Sequence, residues 1–233
     1  MKKFSAALIV LIIAFSCGKA EKDLTVKGHI KGLKKGTVYL KKIEDTILIT
    51  VDSLVINGDS NFSLQSDLES PEIFFLDLDK HSAEQDRIKF FADKGITEIN
   101  TSLKNFVFDA KIKGSKQQEI YEEYLLMISK VNNKRLELIK EKFEAQRDGD
   151  SIALDSLVNL DNGLLRRRYL YTVNFALNHK DSEVAPYLAL SEIYNAQLKF
   201  LDTINQTLTP EIKNSKYGKE LETFIKTIKE TEK

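Results

Sequence analysis

After an apolar start, the first half of the chain alternates apolar and polar residues with a period of two. Val26, Val38 with Leu40, and Phe62 with Leu64 are apolar positions flanked by polar ones, a pattern typical of strands with one buried face. Eight segments fit it and predict strands: 25–30, 37–43, 46–51, 62–68, 72–78, 87–92, 96–101 and 106–112. Many short strands at close spacing favour an antiparallel β-sandwich or a partly closed barrel.

Turn residues separate these segments. Asn57-Gly58-Asp59 contains residues that tolerate positive φ, which predicts a tight hairpin. Lys35-Gly36 and Lys94-Gly95 predict further turns. The stretch from Gly32 to Gly36 lacks the Gly-x-x-x-x-Gly-Lys-Ser/Thr pattern of a phosphate-binding loop and joins two strands, so it also predicts a hairpin turn.

From about Gly114 onward the apolar period becomes that of a helix. A first helix has one apolar face, formed by Ile120, Tyr124, Ile128 and Val131. Gly149 interrupts the pattern, and Asp150 or Ser151 is the expected N-cap of a second helix that runs to about Leu177.

Two further helices complete the predicted bundle. A third is expected from Ser182 through Ile204, and Thr209-Pro210 opens a fourth, because proline is tolerated in a first helical turn. The predicted fold class is therefore α+β, with a β-sandwich or barrel domain at residues 24–114 and about four helices at residues 115–233.

The N-terminus has the features of an export signal. Lys2 and Lys3 precede an unbroken apolar run from Ala6 to Phe15, and the small Ser16 follows. This run is shorter than the ~20 residues that a membrane-spanning helix needs. We therefore predict a signal peptide at residues 1–16 that is cleaved after Ser16.

Cys17 is the only cysteine in the chain, so disulfides within the chain are excluded. Ala14-Phe15-Ser16-Cys17 resembles the lipobox of bacterial lipoproteins, in which the cysteine is acylated, for example with palmitate; the alternative is an incidental thiol. Acyl chains anchor a protein at a membrane, with ~0.8 kcal/mol for each buried methylene. We predict lipidation at Cys17, a short tether at residues 17–23 and a lipid-anchored place in the cell envelope.

Composition adds few constraints. Removing residues 1–16 from 233 leaves 217, enough for one large domain or two ordinary ones. The formal charge falls from 0 to −2 because Lys2 and Lys3 leave with the signal. This balance does not favour a nucleic-acid partner. Gly18 follows the cysteine, so there is no inner-membrane retention signal of the enteric kind; we expect the outer membrane and leave its periplasmic or surface face open.

Several motifs resemble a domain of unknown function, number 4369, that is common in Bacteroidetes lipoproteins. They are the residues at 26–30, 36–40, 52–62, 71–76, 90–91, 96–97 and 112–115, and the helical segment is similar too, down to Ser215-Lys216-Tyr217-Gly218-Lys219-Glu220-Leu221. In many such relatives a thioredoxin-like thiol:disulfide domain follows. Here the chain ends at Lys233 without the Cys-x-x-Cys pair that thiol exchange needs, so no redox residue is carried over.

Other candidate chemistry is weak. His29, His81 and His179 lack the close spacing of a zinc site, and we predict no metal, cofactor or catalytic residue. A group of acids, Asp77, Asp79, Asp86 and Asp93, offers oxygens for calcium, but its spacing lacks the regular ligand pattern and solvated loop charge is the favoured interpretation.

Two further groups have simple interpretations. Arg166-Arg167-Arg168 spreads around a helix, which favours an ion-paired helix face over a single anion site. Tyr121, Tyr124, Tyr187 and Tyr194 suggest carbohydrate stacking, although aromatic residues at helical spacing are usually core.

Five Asp-Ser/Thr-apolar triplets resemble the O-glycosylation acceptor of Bacteroidetes envelope proteins. Their candidate residues are Thr46, Ser53, Ser151, Ser156 and Thr203. Aspartate before serine also marks caps and turns, so one or two at most are expected to be used.

The sequence therefore predicts a membrane-anchored envelope lipoprotein that acts as a non-enzymatic binding or scaffold protein with an envelope protein partner. The alternative is an accessory subunit of a thioredoxin-like thiol:disulfide system that is itself redox-inactive. A hydrolase has no motif to support it.

Overall fold

The computed structural model describes residues 22–79 and 86–231. The predicted signal peptide, Cys17 and His81 lie outside these residues. The eight strands are β1 (Leu24–Lys31), β2 (Lys35–Glu44), β3 (Ile47–Asn57), β4 (Asn61–Ser66), β5 (Glu72–Leu78), β6 (Ile88–Ala92), β7 (Gly95–Ser102) and β8 (Lys111–Lys113).

The strands form two four-stranded sheets rather than a closed barrel. One sheet has the order β4-β1-β7-β8 and the other the order β3-β2-β5-β6. Alternate residues of both sheets point into one shared core, which includes Val26, Val38, Leu64, Phe74 and Phe90. The predicted α+β class with an N-terminal sandwich is thus confirmed.

The strand connectivity differs in part from the antiparallel arrangement with hairpin turns that the sequence predicted. β1 and β7 pair in parallel. The predicted hairpin at Asn57-Gly58-Asp59 is wrong, because β3 and β4 lie in different sheets, although Gly58 does adopt a φ of 101°. The hairpin turn predicted between Gly32 and Gly36 is wrong for the same reason, because the link after β1 crosses between the sheets, as do the links after β4 and β6. The hairpin from β2 to β3 instead turns through Asp45, whose φ is 55°.

The last predicted strand, 106–112, is mostly wrong. Residues 103–110 form turns, and only Lys111–Lys113 pairs with β7. Phe106 is buried at 4% exposure and packs into the sandwich core from this turn segment. Its apolar character therefore reflects core packing rather than strand formation.

Six helices follow within the described residues, where about four were predicted. They are α1 (Lys116–Arg147), α2 (Ser151–Asn178), α3 (Val184–Ser191), α4 (Leu198–Thr207), α5 (Pro210–Lys213) and α6 (Lys216–Thr231). The predicted third and fourth helices are each divided in two. None of the described helices has the length and apolar content needed to cross a membrane.

Local capping explains the helix ends. Asp150, rather than Ser151, caps α2 by accepting a hydrogen bond from the Ala153 N–H. Thr209 caps α5, with Pro210 in the first turn as predicted. The first two helices form a long antiparallel hairpin, the α1–α2 hairpin, and α1 alone spans ~48 Å at 1.5 Å per residue. Between residues 129 and 171 only Leu138 and Asp161 are buried.

Candidate binding sites

Aromatic residues join the sandwich to the helices. The Phe91 ring of β6 lies edge-on to Tyr121, Tyr187 and Tyr217, with centroid distances of 5.7, 5.2 and 6.0 Å. The Tyr217 hydroxyl oxygen accepts a hydrogen bond of 3.0 Å from the Ile73 N–H. Edge-to-face rings and a satisfied hydroxyl are a stable arrangement, so the sheet and the helices α1, α3 and α6 are held in a fixed relation.

A cavity of about 320 Å³ opens beside this cluster. Its apolar walls come from both halves of the chain: Ile43, Ile73, Phe75, Tyr187, Leu190 and Tyr217. Sites for small molecules commonly lie at such junctions and combine apolar walls with a few polar groups. We call this space the junction cavity.

Lys89 of β6 is a charged group of the junction cavity that lies beside two tyrosine rings. Its ammonium nitrogen lies 5.1 Å from the ring centroid of Tyr187 and 5.5 Å from that of Tyr121. Burial by itself lowers the pKa of Lys89, but the hydroxyl oxygens of Tyr187 and Tyr121 outweigh it and the pKa is raised. The residue is therefore a cation, stabilised by aromatic rings but not neutralised by a carboxylate.

The other lysine of the junction cavity is neutralised. Lys216 forms an ion pair with Glu72, which is 4% exposed, and donates a hydrogen bond of 3.1 Å to the Ile43 carbonyl oxygen. Lys42 also reaches Glu72, at 3.2 Å. Because two lysines share this carboxylate, the Glu72 cluster tethers α6 to β2 and β5.

Two carboxylates stand at the mouth of the cavity. Asp45 and Glu220 are exposed and form no ion pair among the described residues. Partial burial raises the pKa of Glu220, and Lys216 partly offsets this effect. The junction cavity thus has an unpaired cation beside tyrosine rings and unpaired acids at its rim.

Residues 24–121 match the model of DUF4369, a domain of unknown function. No curated protein matches the chain. The DUF4369 match begins at β1 and ends inside α1, so it includes Lys89, Phe91 and Tyr121 but not Tyr187 or Tyr217. The predicted resemblance to this domain is confirmed, whereas the lipoprotein identity, the Bacteroidetes origin and the thioredoxin-like relationship stay predictions.

The two histidines among the described residues have different surroundings. His29, on β1 of the DUF4369 domain, contacts Asn61 through Nδ1 at 3.1 Å. His179 ends α2, where its ring stacks on Phe175 at 4.0 Å and its Nδ1 lies 2.9 Å from the Phe175 carbonyl oxygen. Among the residues that the structure describes, no group of three or more His, Cys, Asp or Glu side chains is arranged to hold a metal.

The acidic group has structural contacts rather than the loop solvation that we favoured from sequence. Asp77 is 2% exposed and pairs with Lys41 at 2.6 Å and with Arg87 at 3.3 Å. Asp93 accepts a hydrogen bond of 2.7 Å from the Lys116 N–H at the start of α1. That interpretation is therefore wrong for Asp77, which is a buried ion-pair centre of the DUF4369 domain.

The other candidate residues named from the sequence lie in different parts of the fold. Arg168 pairs with Glu192, the C-cap of α3, consistent with an ion-paired helix face, while Arg166 and Arg167 are exposed. Tyr121, Tyr124 and Tyr187 are buried as expected of core residues, but Tyr194 is 59% exposed. All five candidate glycosylation residues are exposed: Thr46, Ser53, Ser151, Ser156 and Thr203; their modification stays a prediction.

Sequence reasoning missed Lys89, Tyr217, Asp45 and Glu220 as members of one site. One weak signal was present, since Lys89 is a lone charged residue inside the apolar strand Ile88–Ala92. The others come from the β2–β3 turn and from α6, which are remote in the chain and meet only after folding.

Proposed function

We propose that this protein is a membrane-anchored, non-enzymatic binding protein of the cell envelope and that the junction cavity is its ligand site. The observation that carries the proposal is the unpaired Lys89 ammonium between aromatic rings in an apolar-walled cavity. The lipid anchor at Cys17 and the non-enzymatic character come from the sequence motifs.

The charges of the cavity indicate a zwitterionic ligand. A ligand carboxylate would offset Lys89, and a ligand ammonium would offset Asp45 and Glu220 at the rim. Between these ends, Ile73, Phe75 and the tyrosine rings favour apolar side chains. A free amino acid or short peptide with apolar side chains has all three features, and a volume of about 320 Å³ suits a dipeptide-sized molecule.

Calorimetric titration of the full chain in detergent tests this proposal. Apolar dipeptides such as leucyl-phenylalanine should bind, and both the N-acetylated and the C-amidated forms should bind at least tenfold more weakly, because each lacks one charge. Lys89→Met should weaken binding of the free dipeptide by about tenfold, the loss expected for one charge-assisted contact.

Lys219→Met provides the matched control, because Lys219 lies in the adjoining polar cleft and not in the junction cavity. It should bind the dipeptide like the wild type. Absence of binding across a panel of apolar dipeptides, or equal binding by Lys89→Met, would refute the ligand site. Cleavage of the dipeptide by the purified chain would refute the non-enzymatic part.

The accessory role in a thioredoxin-like system rests on the sequence resemblance alone and stays a prediction. This role is tested by measuring the thiol:disulfide exchange rate of a thioredoxin-like lipoprotein from the same cell, with and without this chain. An unchanged rate, together with no binding between the two proteins, would exclude that role.

A further inference from the structure

The α1–α2 hairpin has a large exposed apolar surface away from the junction cavity. On α1, Phe143, Leu136 and Ile139 are 71%, 64% and 51% exposed. On α2, Val158 and Leu165 are 42% and 38% exposed. Exposed apolar residues that share one surface mark an interaction site.

Helix geometry places these residues on one side of the hairpin. With about 3.6 residues per turn, Leu136, Ile139 and Phe143 recur on a single stripe of α1. Arg135 and Lys142, at the two ends of this stripe, both contact Asp161 of α2, at 2.7 and 2.8 Å. The middle of the stripe therefore lies at the same height as Asp161.

The flank of α2 on that same side carries Val158 and Leu165, seven residues apart and centred near Asp161. We call the resulting two-helix surface the hairpin face, defined by Leu136, Ile139, Phe143, Val158 and Leu165. Its apolar residues are level on the two helices, so they form one surface rather than two separate stripes.

The charges beside the hairpin face identify its partner. Asp155 lies toward the N-terminal end of α2 and Arg166 toward its C-terminal half, both bordering this face and neither in an ion pair with another described residue. When α2 lies against an antiparallel copy of itself, the acidic residue before the middle of one helix faces the basic residue after the middle of the other. Such self-complementarity is the condition for a two-fold symmetric interface.

We propose that two copies of this chain pair through the hairpin face, with α2 antiparallel to α2 of the second copy and the two-fold axis near Asn162. Val158 of each copy then packs beside Leu165 of the other, and Asp155 of each faces Arg166 of the other. Four helices enclose the apolar residues, as in a four-helix bundle.

Cysteine cross-linking in cells tests the axis, because Cys17 is the only native cysteine. Asn162→Cys places two thiols close together at the axis, so oxidation should yield a disulfide-linked dimer of this chain. Leu160→Cys is the matched control. Leu160 is 49% exposed at nearly the same height on α2 but projects from the opposite flank, so this variant should form no disulfide-linked dimer. Equal cross-linking of both variants would overturn the proposal.

Charge exchange tests the pairing itself. Sedimentation of the full chain in detergent should show a dimer, which Asp155→Arg or Arg166→Asp weakens by about tenfold, since each change creates like-charge contacts twice in the symmetric dimer. The double variant Asp155→Arg/Arg166→Asp should restore dimerisation to within about threefold of the wild type. A folding defect would not be rescued in this way.

Three further results would overturn this inference: a monomer at every concentration, no rescue in the double variant, or an Asn162→Cys cross-link to a different protein. The last result would assign the hairpin face to another partner. None of them bears on the dipeptide titration, so the two proposals fail independently.

Discussion

Glu183 is a buried carboxyl group whose hydrogen bonds depend on its protonation state. It is 3% exposed, and its Oε2 lies 2.6 Å from the Ser215 hydroxyl oxygen, which is also 2.6 Å from the Ile212 carbonyl oxygen. The hydroxyl has a single proton, and a carbonyl only accepts. Both short contacts are hydrogen bonds when Glu183 is protonated and donates to Ser215, which then donates to Ile212.

The surroundings of Glu183 favour the same state. Burial raises its pKa to about 7, the Ser215 contact opposes this shift, and Glu211 and Asp93 add to it. Because the folded chain keeps this proton above pH 4.5 and the unfolded chain loses it, the contribution of Glu183 to stability falls as pH rises from about 4.5 to about 7 and is constant above that.

We therefore predict that Glu183→Gln removes this pH dependence. The neutral amide preserves a donor to Ser215, so the variant should exceed the wild type in stability by roughly 2–3 kcal/mol at pH 8 and by little at pH 4.5. Urea unfolding at several pH values measures the difference. Glu222→Gln, a change at an exposed residue of α6, serves as control. A Glu183→Gln curve parallel to the wild type would show that the pKa of Glu183 is the same in the folded and unfolded chain.

At the scale of elements, a polar clasp joins the two helices in the outer part of the α1–α2 hairpin. Asp161 of α2 accepts from Arg135 and Lys142 of α1, and these hydrogen bonds lower its pKa. Its contribution to stability is therefore present at neutral pH and is lost as the solution becomes acidic enough to protonate it. The apolar contribution to this part of the hairpin is small, since Leu138 is its one buried apolar side chain between residues 129 and 171.

Asp161→Asn should loosen the hairpin without unfolding the sandwich. We expect a loss of about 1 kcal/mol and faster amide hydrogen exchange in residues 130–165, with β1 and β5 unchanged. Glu137→Gln breaks only the exposed pair with Lys134 and should leave exchange unaltered. If both variants exchange alike, the clasp makes no special contribution.

At the scale of the whole molecule, the proposed lipid anchor determines where both binding surfaces operate. Cys17→Ala should abolish incorporation of labelled palmitate and leave the signal peptide uncleaved, because the acylated cysteine is the recognised residue in the lipobox it resembles. Metabolic labelling followed by membrane fractionation measures both effects. Ser16→Ala, which keeps a small residue before the cysteine, should label normally; palmitate incorporation by Cys17→Ala at the wild-type level would contradict the anchor.

Local patterns were enough to determine much of the fold. The period-two segments gave six strands within two residues of their observed bounds, whereas β3 continues six residues past its predicted end. The second helix ends at Asn178, one residue from its predicted end. These features depend on neighbouring residues, because backbone geometry sets which side chains share a face. The same reasoning placed Tyr121 and Tyr124 in the core.

Only the tertiary structure decided the pairing of strands and the composition of the sites. β1 joins β7 in parallel across some seventy residues, and Asn57-Gly58-Asp59 connects two sheets instead of two paired strands. A turn motif specifies its own φ angles but not the partner of the strand that follows. Lys89, Tyr187 and Glu220 converge for the same reason: their contact depends on how the helices pack on the sheet, which no local period encodes.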